Sequence, residues 1–304
     1  MSTSFLKRAG LVLLALLLLW GILALLRRGT SEDIAGFVLP SFDSAALNRI
    51  TITTKTDTIS LVRVQGNDWE ANGLPAASPA VNDLYNAVFD STTAARSELA
   101  ARSTGSHARR GVEGLGKSHM LFVAGTDTVA DLRVGNPTET GRGAFVRLGD
   151  APEVYRVTTD LARLGSQPVD HWRDKQIVAV TPEQVARVTV MWPGRRYALT
   201  RSDGIWAVDG AATDTTAVAT MLRGYANLEA TGFPTADELD TIDFSSPDGR
   251  IVLRGMGGDT LAALEFDSTA AGIWTRRASS GPVFKLAAWY GARLAPDKRV
   301  LTGQ

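Results

Sequence analysis

The chain has 304 residues, of which 44% are hydrophobic and 21% charged, a composition that excludes a wholly disordered or collagen-like protein. Its 32 Lys and Arg residues balance its 32 Asp and Glu residues, which disfavours nucleic-acid binding because that requires clustered basic side chains. The sequence has no cysteine, so disulfides, thiolate metal sites and cysteine nucleophiles are excluded together.

The first predicted element is a membrane-spanning helix at residues 9–26. This segment reads AGLVLLALLLLWGILALL and has no charged or strongly polar side chain. A helix of this length reaches about 27 Å, which is enough to cross the hydrocarbon core of a bilayer. A cleaved signal peptide is the alternative, but no small-x-small cleavage site follows the apolar run. We therefore predict an uncleaved single-pass anchor that binds the lipid bilayer through residues 9–26.

The segments on either side of this run are short. Residues 1–8 are predicted as a cytoplasmic tail and residues 27–42 as a spacer that leads to the folded part. Two basic residues lie on each side of the apolar run, so the charge count does not by itself set the orientation. The expected location is the cytoplasmic (inner) membrane, with a C-terminal extracytoplasmic or periplasmic domain.

The remainder of the sequence consists of two similar copies of one predicted structural unit. Residues 43–52 align with residues 181–190, and both stretches end in an Arg-x-Thr-x strand with aliphatic residues at x. A hairpin then leads to a tryptophan in each copy, at Trp69 and Trp206. Alternation of apolar and polar residues predicts that these segments are half-buried antiparallel strands.

One principal helix is predicted after the tryptophan in each copy. The first begins at Ser78, and either Thr213 or Asp214 caps the second, because these side chains accept hydrogen bonds from the first amides of a helix. Both carry apolar residues at positions i, i+3, i+4 and i+7, the pattern of a helix buried on one face. These residues are Val81, Leu84, Tyr85 and Val88 in the first copy and Val218, Met221, Leu222 and Tyr225 in the second.

The matches continue to the end of each copy, which places repeat 1 at residues 43–178 and repeat 2 at residues 179–304. The predicted fold class is therefore α+β. It consists of a single N-terminal transmembrane helix followed by two tandem similar units, each mainly antiparallel sheet plus one principal helix.

The order of these features resembles that of a bacterial family called domain of unknown function 4340, which is often duplicated. The resemblance rests on the apolar N-terminal segment, Trp69 and the striped helix after it, the EGL turn at 113–115, the VYRV strand at 154–157 and the closing RDK at 173–175. It implies a membrane-tethered extracytoplasmic protein associated with ABC-type transport components of the gliding-motility auxiliary kind. The implied partners are a permease and an ATPase.

No catalytic, cofactor-binding or metal-binding residue is predicted. The histidines His107, His119 and His171 lack the paired spacing of metal ligands. His107 lies in a polar stretch, where a mobile surface side chain is expected. No Gly-x-Ser-x-Gly elbow occurs, so a hydrolase nucleophile of that kind is absent from the sequence.

Two further patterns imitate functional motifs. Residues 111–118 satisfy the written pattern of a phosphate-binding loop, but a polar stretch precedes them and a predicted strand follows where a helix is required. A turn that leads into a strand is therefore expected. Asp237, Glu238 and Asp240 are expected at a solvated helix end and not as a glycosidase pair.

Aromatic residues and sheet edges are the remaining candidates for binding. Trp69 and Trp206 are predicted to fill equivalent cores. Candidates for exposed contact positions are Trp192, Trp274, Trp289 and Tyr290. The outer strands of an antiparallel sheet are also expected to be free to accept a partner's strand.

The sequence favours binding over catalysis, and no cofactor is expected. The leading hypothesis is a non-catalytic, membrane-anchored extracytoplasmic accessory or scaffold protein of an ABC-type transport or motility-related complex, and it rests on the family resemblance. The alternative is an independent envelope module that binds polysaccharide or lipid between the repeats. No motif identifies the partner, the transported substance or the interaction surface.

Overall fold

The structure, a computed structural model, describes residues 37, 44–89, 97–139, 141, 143–269, 272–278 and 281–304. The chain divides into two compact units. The first unit combines the described residues up to Arg63 with Asn82–Gln167, and the second combines Val64–Val81 with Pro168–Gln304. Each unit therefore brings together segments that are distant in sequence.

The first sheet has nine strands. They are β1 (Leu47–Thr53), β2 (Thr58–Gln65), β3 (Asp68–Ala71), β4 (Leu74–Pro75), β5 (Ser97–Ala101), β6 (Ser118–Ala124), β7 (Asp127–Pro137), β8 (Ala144–Leu148) and β9 (Val154–Val157). Their order in the sheet is β4-β3-β2-β1-β6-β7-β8-β9-β5. Ile50 and Ile52 of β1 lie opposite Phe122 and Met120 of β6, and all four side chains are fully buried. Because successive side chains of a strand point to opposite faces, the alternating apolar residues of these strands place one face of the sheet in the core.

The second large sheet has eight strands, and a small sheet has two. The strands of the large sheet are β11 (Val185–Trp192), β12 (Arg195–Ser202), β13 (Ile205–Val208), β14 (Ala211–Ala212), β16 (Gly249–Gly255), β17 (Thr260–Thr269), β18 (Gly272–Arg277) and β19 (Phe284–Leu286). Their order is β14-β13-β12-β11-β16-β17-β18-β19, and the small sheet pairs β10 (Gln176–Val178) with β15 (Leu228–Glu229). Residues of both sheets contribute to one hydrophobic core.

The helices are mostly short. They are α1 (Ser78–Phe89), α2 (His107–Arg110), α3 (Leu161–Leu164), α4 (Val169–Trp172), α5 (Thr215–Ala226), α6 (Ala236–Leu239), α7 (Tyr290–Leu294) and α8 (Lys298–Thr302), with 3-10 turns at Ser44–Ala46, Thr104–Ser106 and Pro182–Gln184. The two helices of 12 residues, α1 and α5, confirm the prediction of a helix after each tryptophan. Asp214 caps α5, because its carboxylate accepts hydrogen bonds from the amides of Thr216 and Ala217.

The apolar stripes of α1 and α5 also lie where the periodicity places them. The buried residues of the stripes are Val81, Leu84 and Val88 in α1 and Val218, Met221, Leu222 and Tyr225 in α5, while Tyr85 is half-buried. At the end of α1, the ring of Phe89 meets that of Phe122 edge to face, with centroids 5.0 Å apart.

Backbone segments cover two outer strands of the large sheets. The amide of Asp174 donates to the carbonyl of Pro75 in β4 at 2.8 Å. In β19, the amide of Lys285 donates to the carbonyl of Gly232 at 2.9 Å, and its carbonyl accepts from the amide of Thr231 at 2.9 Å. The expectation of free outer edges is therefore wrong for these two strands.

The predicted fold class is wrong. An α+β chain headed by a transmembrane helix was expected, whereas the described residues are mainly antiparallel strands in two large sheets. Within the described ranges, no helix is long and apolar enough to cross a membrane. The physical reason is that successive hairpins form wide sheets, in which alternate, apolar side chains of each strand are buried. Short helices then suffice to cover the remaining apolar surface of the sheets.

Other predictions fall outside what the structure describes. The segment 9–26, the tail 1–8 and, apart from Phe37, the spacer 27–42 lie outside the described residues. The inner-membrane location and the repeat limits 43–178 and 179–304 stay predictions.

Two tyrosines in the second unit are buried with their hydroxyl groups bonded to carbonyl oxygens. Tyr225 donates to the carbonyl of Leu294, and Tyr197 donates to that of Pro296 at 2.9 Å. Burial raises the pKa of both phenols well above the usual value, because the phenolate would lose its hydration. The folded unit therefore holds both groups in the neutral form.

We expect the free energy of unfolding to fall as pH rises above about 10, where the unfolded chain releases its tyrosine protons and the folded chain keeps them. Below that pH the contribution of the two phenols is fully present. Urea denaturation between pH 8 and pH 11 measures this dependence. Tyr225→Phe should be less stable at neutral pH by about 1–3 kcal/mol, since the Leu294 carbonyl loses its donor, and should show a shallower alkaline decline. An equal decline in both proteins would contradict this account.

Candidate functional site

A groove of about 630 Å³ lies within the second unit. One wall consists of Asp174 and the consecutive residues 176–180, which include β10. The rest of the lining consists of residues 260–263 at the start of β17, together with Arg250, Arg277 and Ala278. The lining thus includes the strand β10, and its charged side chains are those of Asp174, which precedes β10, and of Arg250 and Arg277 in two strands of the large sheet.

The strand β10 offers a backbone edge at this groove. It pairs with β15 in a sheet of two strands, so the ladder occupies one of its two edges. Its ends are fixed by hydrogen bonds from the amide of Ala230 to the carbonyl of Lys175 at 2.8 Å and from the amide of Val180 to the carbonyl of Tyr225 at 3.0 Å. The side chain of Ile177 is buried in the core. Such an anchored edge can accept an extended chain through backbone hydrogen bonds.

The charged side chains of the groove are unequally paired. Arg250 and Arg277 are exposed, and neither forms an ion pair with a residue that the structure describes. Asp174 is the carboxylate among the described lining residues, and its Oδ1 accepts a hydrogen bond from the amide of Gln176 at 2.9 Å. The lining therefore has two unpaired guanidinium groups against one carboxylate that already has a backbone partner. Guanidinium groups bind carboxylates with two parallel hydrogen bonds.

The RDK segment at 173–175 forms one end of this wall. The guanidinium of Arg173 lies 3.1 Å from the Asp170 carboxylate and 5.1 Å from the centre of the Phe233 ring. These contacts all lie within the second unit. Arg173 therefore acts as a structural support for the wall and leaves Asp174 on the groove side.

The three histidines occupy different environments. His107 is 5% exposed, and its Nε2 lies 2.9 Å from the carbonyl oxygen of Pro152, so the expectation of a mobile surface histidine is wrong. The Nε2 of His119 lies 2.8 Å from Asp131 Oδ1, and His171 meets Trp172 edge to face at 5.2 Å. In the part of the chain that the structure describes, no group of three or more His, Asp or Glu residues could hold a metal ion.

Residues 111–118 form a turn that leads into a strand, as expected. Gly111 ends α2 in the left-handed conformation, with φ of 71°. The amide of Lys117 donates to the carbonyl of Val134 at 2.8 Å, and β6 begins at Ser118. A phosphate-binding loop requires a helix at that point, so the resemblance to such a loop is confined to the sequence.

The carboxylates near residue 238 belong to a helix end, also as expected. Glu238 forms a capping box with Thr235 at the start of α6, and its side chain pairs with Lys285 at 3.0 Å. Hydrogen bonds from the Thr235 amide and then from Lys285 lower the pKa of Glu238. This carboxylate is held as an anion and links α6 to Lys285 of β19.

The tryptophans divide between core and surface. Trp69 and Trp206 are buried, as predicted. Among the candidates for exposed contacts, Trp274 is fully buried and Trp192 is half-buried. Trp289 is 56% exposed and stacks on Tyr290 with a centroid distance of 3.9 Å.

Sequence reasoning missed the groove altogether. Arg250 and Arg277 lie 27 positions apart, and their separation from Asp174 is larger still. In the ladder, Arg250 lies opposite Glu265 and Arg277 lies opposite Leu264, and both arginines line the cavity. A local signal did exist for the strand β10. The apolar segment 177–180 is too short for a helix and follows the charged RDK segment.

Comparison with known proteins gives one assignment. None of the curated proteins matches the chain. A family model described as "Domain of unknown function (DUF4340)" matches residues 69–247, which is more than half of the chain and includes the wall of the groove at 174–180. The chain therefore belongs to the DUF4340 family.

Proposed function

We propose that the chain is a non-catalytic, extracytoplasmic accessory protein of an ABC-type transport or motility-related complex. In this proposal, the groove of the second unit holds an extended acidic segment of a partner protein in that complex. The observation that carries the proposal is a strand edge beside two unpaired guanidinium groups.

The chemistry of the groove supports an acidic, extended occupant. The edge of β10 supplies backbone donors and acceptors, which bind an extended chain without regard to its sequence. Arg250 and Arg277 supply the charge that selects carboxylates. The small side chains of Ala262 and Ala263 in the lining leave room for the main chain of such a segment.

The lining also supports binding over catalysis. General acid–base chemistry needs a titratable side chain that is free to exchange a proton with the substrate within hydrogen-bond reach. The described lining offers one carboxylate, on Asp174, which is already engaged with the Gln176 amide. Its arginines carry hydrogen-bond donors and no acceptor.

We infer further that the two sheets arose from one duplicated unit. The order β4-β3-β2-β1-β6-β7-β8-β9 of the first sheet matches the order β14-β13-β12-β11-β16-β17-β18-β19 of the second. The register of strand pairing shifts at the corresponding place in both sheets. The shift lies between Leu47 and Arg49 where β1 pairs with β6, and between Val185 and Arg187 where β11 pairs with β16. An irregularity of register at the same position of both sheets supports common descent, because such features are retained within families.

Co-purification tests the proposed role. We expect the full-length tagged chain, cross-linked in its own cells and purified in mild detergent, to recover the permease and the ATPase of one ABC-type transporter. Charge reversal by Arg250→Glu with Arg277→Glu should lower that recovery at least about tenfold, because like charges across an interface cost several kcal/mol. Quantitative mass spectrometry of the recovered subunits is the measurement.

Arg254→Glu provides the matched control. Arg254 is exposed on β16, the strand that carries Arg250, but it does not line the groove. This variant should recover the transporter subunits as well as the unchanged chain does. Equal recovery by all variants would refute the groove as the docking site, and the absence of transporter subunits from the unchanged chain would refute the accessory role.

A further inference from the structure

A row of basic side chains crosses one face of the first sheet. In the ladder, His119 of β6 lies opposite Arg133 of β7, and Arg133 lies opposite Arg147 of β8. Like charges directly opposite one another destabilise a sheet. The pair of Arg133 and Arg147 therefore needs counter-charges.

Arg133 has its counter-charges within the chain. Its guanidinium lies 3.4 Å from the Asp131 carboxylate and 3.1 Å from that of Asp150. It also donates to the carbonyl of Gly114 at 2.8 Å and to that of Gly149. All of its donor nitrogens are thus engaged, and it ties two turns to the sheet.

Arg147 has no such partners. It is 8% exposed, and its Nε is sealed from solvent without a hydrogen-bond partner. Its guanidinium forms no ion pair with any residue in the described ranges. Burial lowers the pKa of Arg147 and the charge of Arg133 adds to this effect, while the carboxylates of Asp150, Asp131 and Glu113 oppose it. A buried cation without a paired anion is costly to fold.

In the second sheet, the arginine that corresponds to Arg147 is paired with a carboxylate. In the same hairpin arrangement, Arg276 of β18 lies opposite Glu265 of β17. The Nε and Nη2 atoms of Arg276 lie 3.0 Å and 2.9 Å from the Glu265 carboxylate. The position that holds a carboxylate in the second sheet is occupied by Arg133 in the first, so Arg147 has no carboxylate opposite it in the ladder.

We propose that Arg147 is the anchor of a binding site for a small carboxylate taken from solution. The ligand supplies to Arg147 the charge that Glu265 supplies to Arg276. The terminal nitrogens of the guanidinium bind the two carboxylate oxygens in parallel. The nearby carboxylates of Asp131 and Asp150 repel further negative charge, so the site selects a monoanion over a dianion such as phosphate.

Thermal unfolding of the full chain tests this site, with acetate as the probe and chloride at equal ionic strength as the reference. We expect acetate to raise Tm in a saturable manner by about 2–4 °C beyond chloride, because a ligand that binds only the folded state stabilises it. Phosphate should raise Tm less than acetate does. No difference between acetate and chloride would overturn the proposal, and a larger response to phosphate would overturn the selectivity for a monoanion.

Arg147→Met should abolish the acetate response. Methionine replaces the charge, which has no direct ion-pair partner in the described ranges, with an apolar side chain of similar length, so the variant should fold. The matched control is Arg276→Met, which removes the corresponding arginine of the second sheet and should keep the full response. An acetate response retained in Arg147→Met would refute Arg147 as the anchor.

A second measurement does not depend on the folding of Arg147→Met. The 15N resonance of Arg147 Nε, identified by its absence from the spectrum of Arg147→Lys, should shift during an acetate titration of the unchanged chain. Arg147→Lys keeps the charge but lacks the planar fork, so its acetate response should weaken severalfold. An Arg147 resonance that does not move at saturating acetate would refute the site.

Discussion

Replacing Trp172 with alanine is expected to lower the free energy of unfolding by about 3–5 kcal/mol, the usual cost of truncating a fully buried tryptophan. Trp172 ends α4 and is fully buried. Its backbone carbonyl accepts a hydrogen bond from the amide of Ala77 at 2.8 Å, so a collapse of this site also disturbs the segment after β4. The indole Nε1 is buried without a partner, and its removal offsets part of the loss. The expected value therefore lies toward the lower end of the range.

Urea denaturation of Trp172→Ala measures this cost, and Trp289→Ala is the control. Trp289 is 56% exposed and contacts Tyr290 and Arg293 at the surface. Its truncation should cost about 1 kcal/mol, which is the scale of a surface aromatic pair. Similar losses in the two variants would show that burial of Trp172 is not what stabilises this part of the second unit.

Gly135→Ala is expected to destabilise the first unit by about 1–3 kcal/mol or more, the cost of adding volume to a packed site. A Cβ at Gly135 would lie well inside van der Waals contact of the Arg110 carbonyl oxygen and 2.7 Å from Val112 Cγ1. Val112 is fully buried, so neither neighbour can move aside without shifting backbone. Thermal unfolding should show the loss as a lower Tm.

Gly105→Ala is the matched control for this substitution. No heavy atom lies within 4 Å of the Cβ that it would add, and its φ is an ordinary negative value. Alanine there should stabilise the chain by about 0.4–1 kcal/mol, because it restricts the unfolded state without strain in the folded one. The two alanine substitutions thus have opposite expected signs, and a shared sign would contradict the packing argument at Gly135.

Local patterns in the sequence predicted local structure well. The helices after Trp69 and Trp206 follow from caps and apolar stripes that lie within 12 residues of one another. The turn at 111–118 follows from the glycines and the strand pattern after them. In each case the information lies in neighbouring residues, which is where periodicity and capping act.

The missed features depend on distant residues. His107 is buried, and the carbonyl that its ring nitrogen bonds belongs to Pro152, 45 positions away. The mismatch between Arg133 and Arg147 follows from the register of β7 with β8, which the sequence does not display. Strand register depends on turn geometry and on the burial of a whole face, so charge pairs across strands are accessible only from the structure.

The prediction of fold class failed for a related reason. Apolar alternation indicated strands correctly, but it did not show that they continue into sheets of eight and nine strands. The one principal helix predicted for each copy is present, as α1 and α5. The other helices of the described residues are four or five residues long, and the predicted membrane-spanning helix at 9–26 lies outside the described residues.

The covered edges of β4 and β19 have a consequence for handling the purified protein. An unpaired edge strand can template filament growth, because each molecule that pairs with it exposes a further unpaired edge strand of its own. Asp174 occupies one such edge, and Thr231 and Gly232 occupy another. Concentrated samples should therefore not polymerise through these two strands, and substitutions that detach Gly232 from Lys285 should promote aggregation.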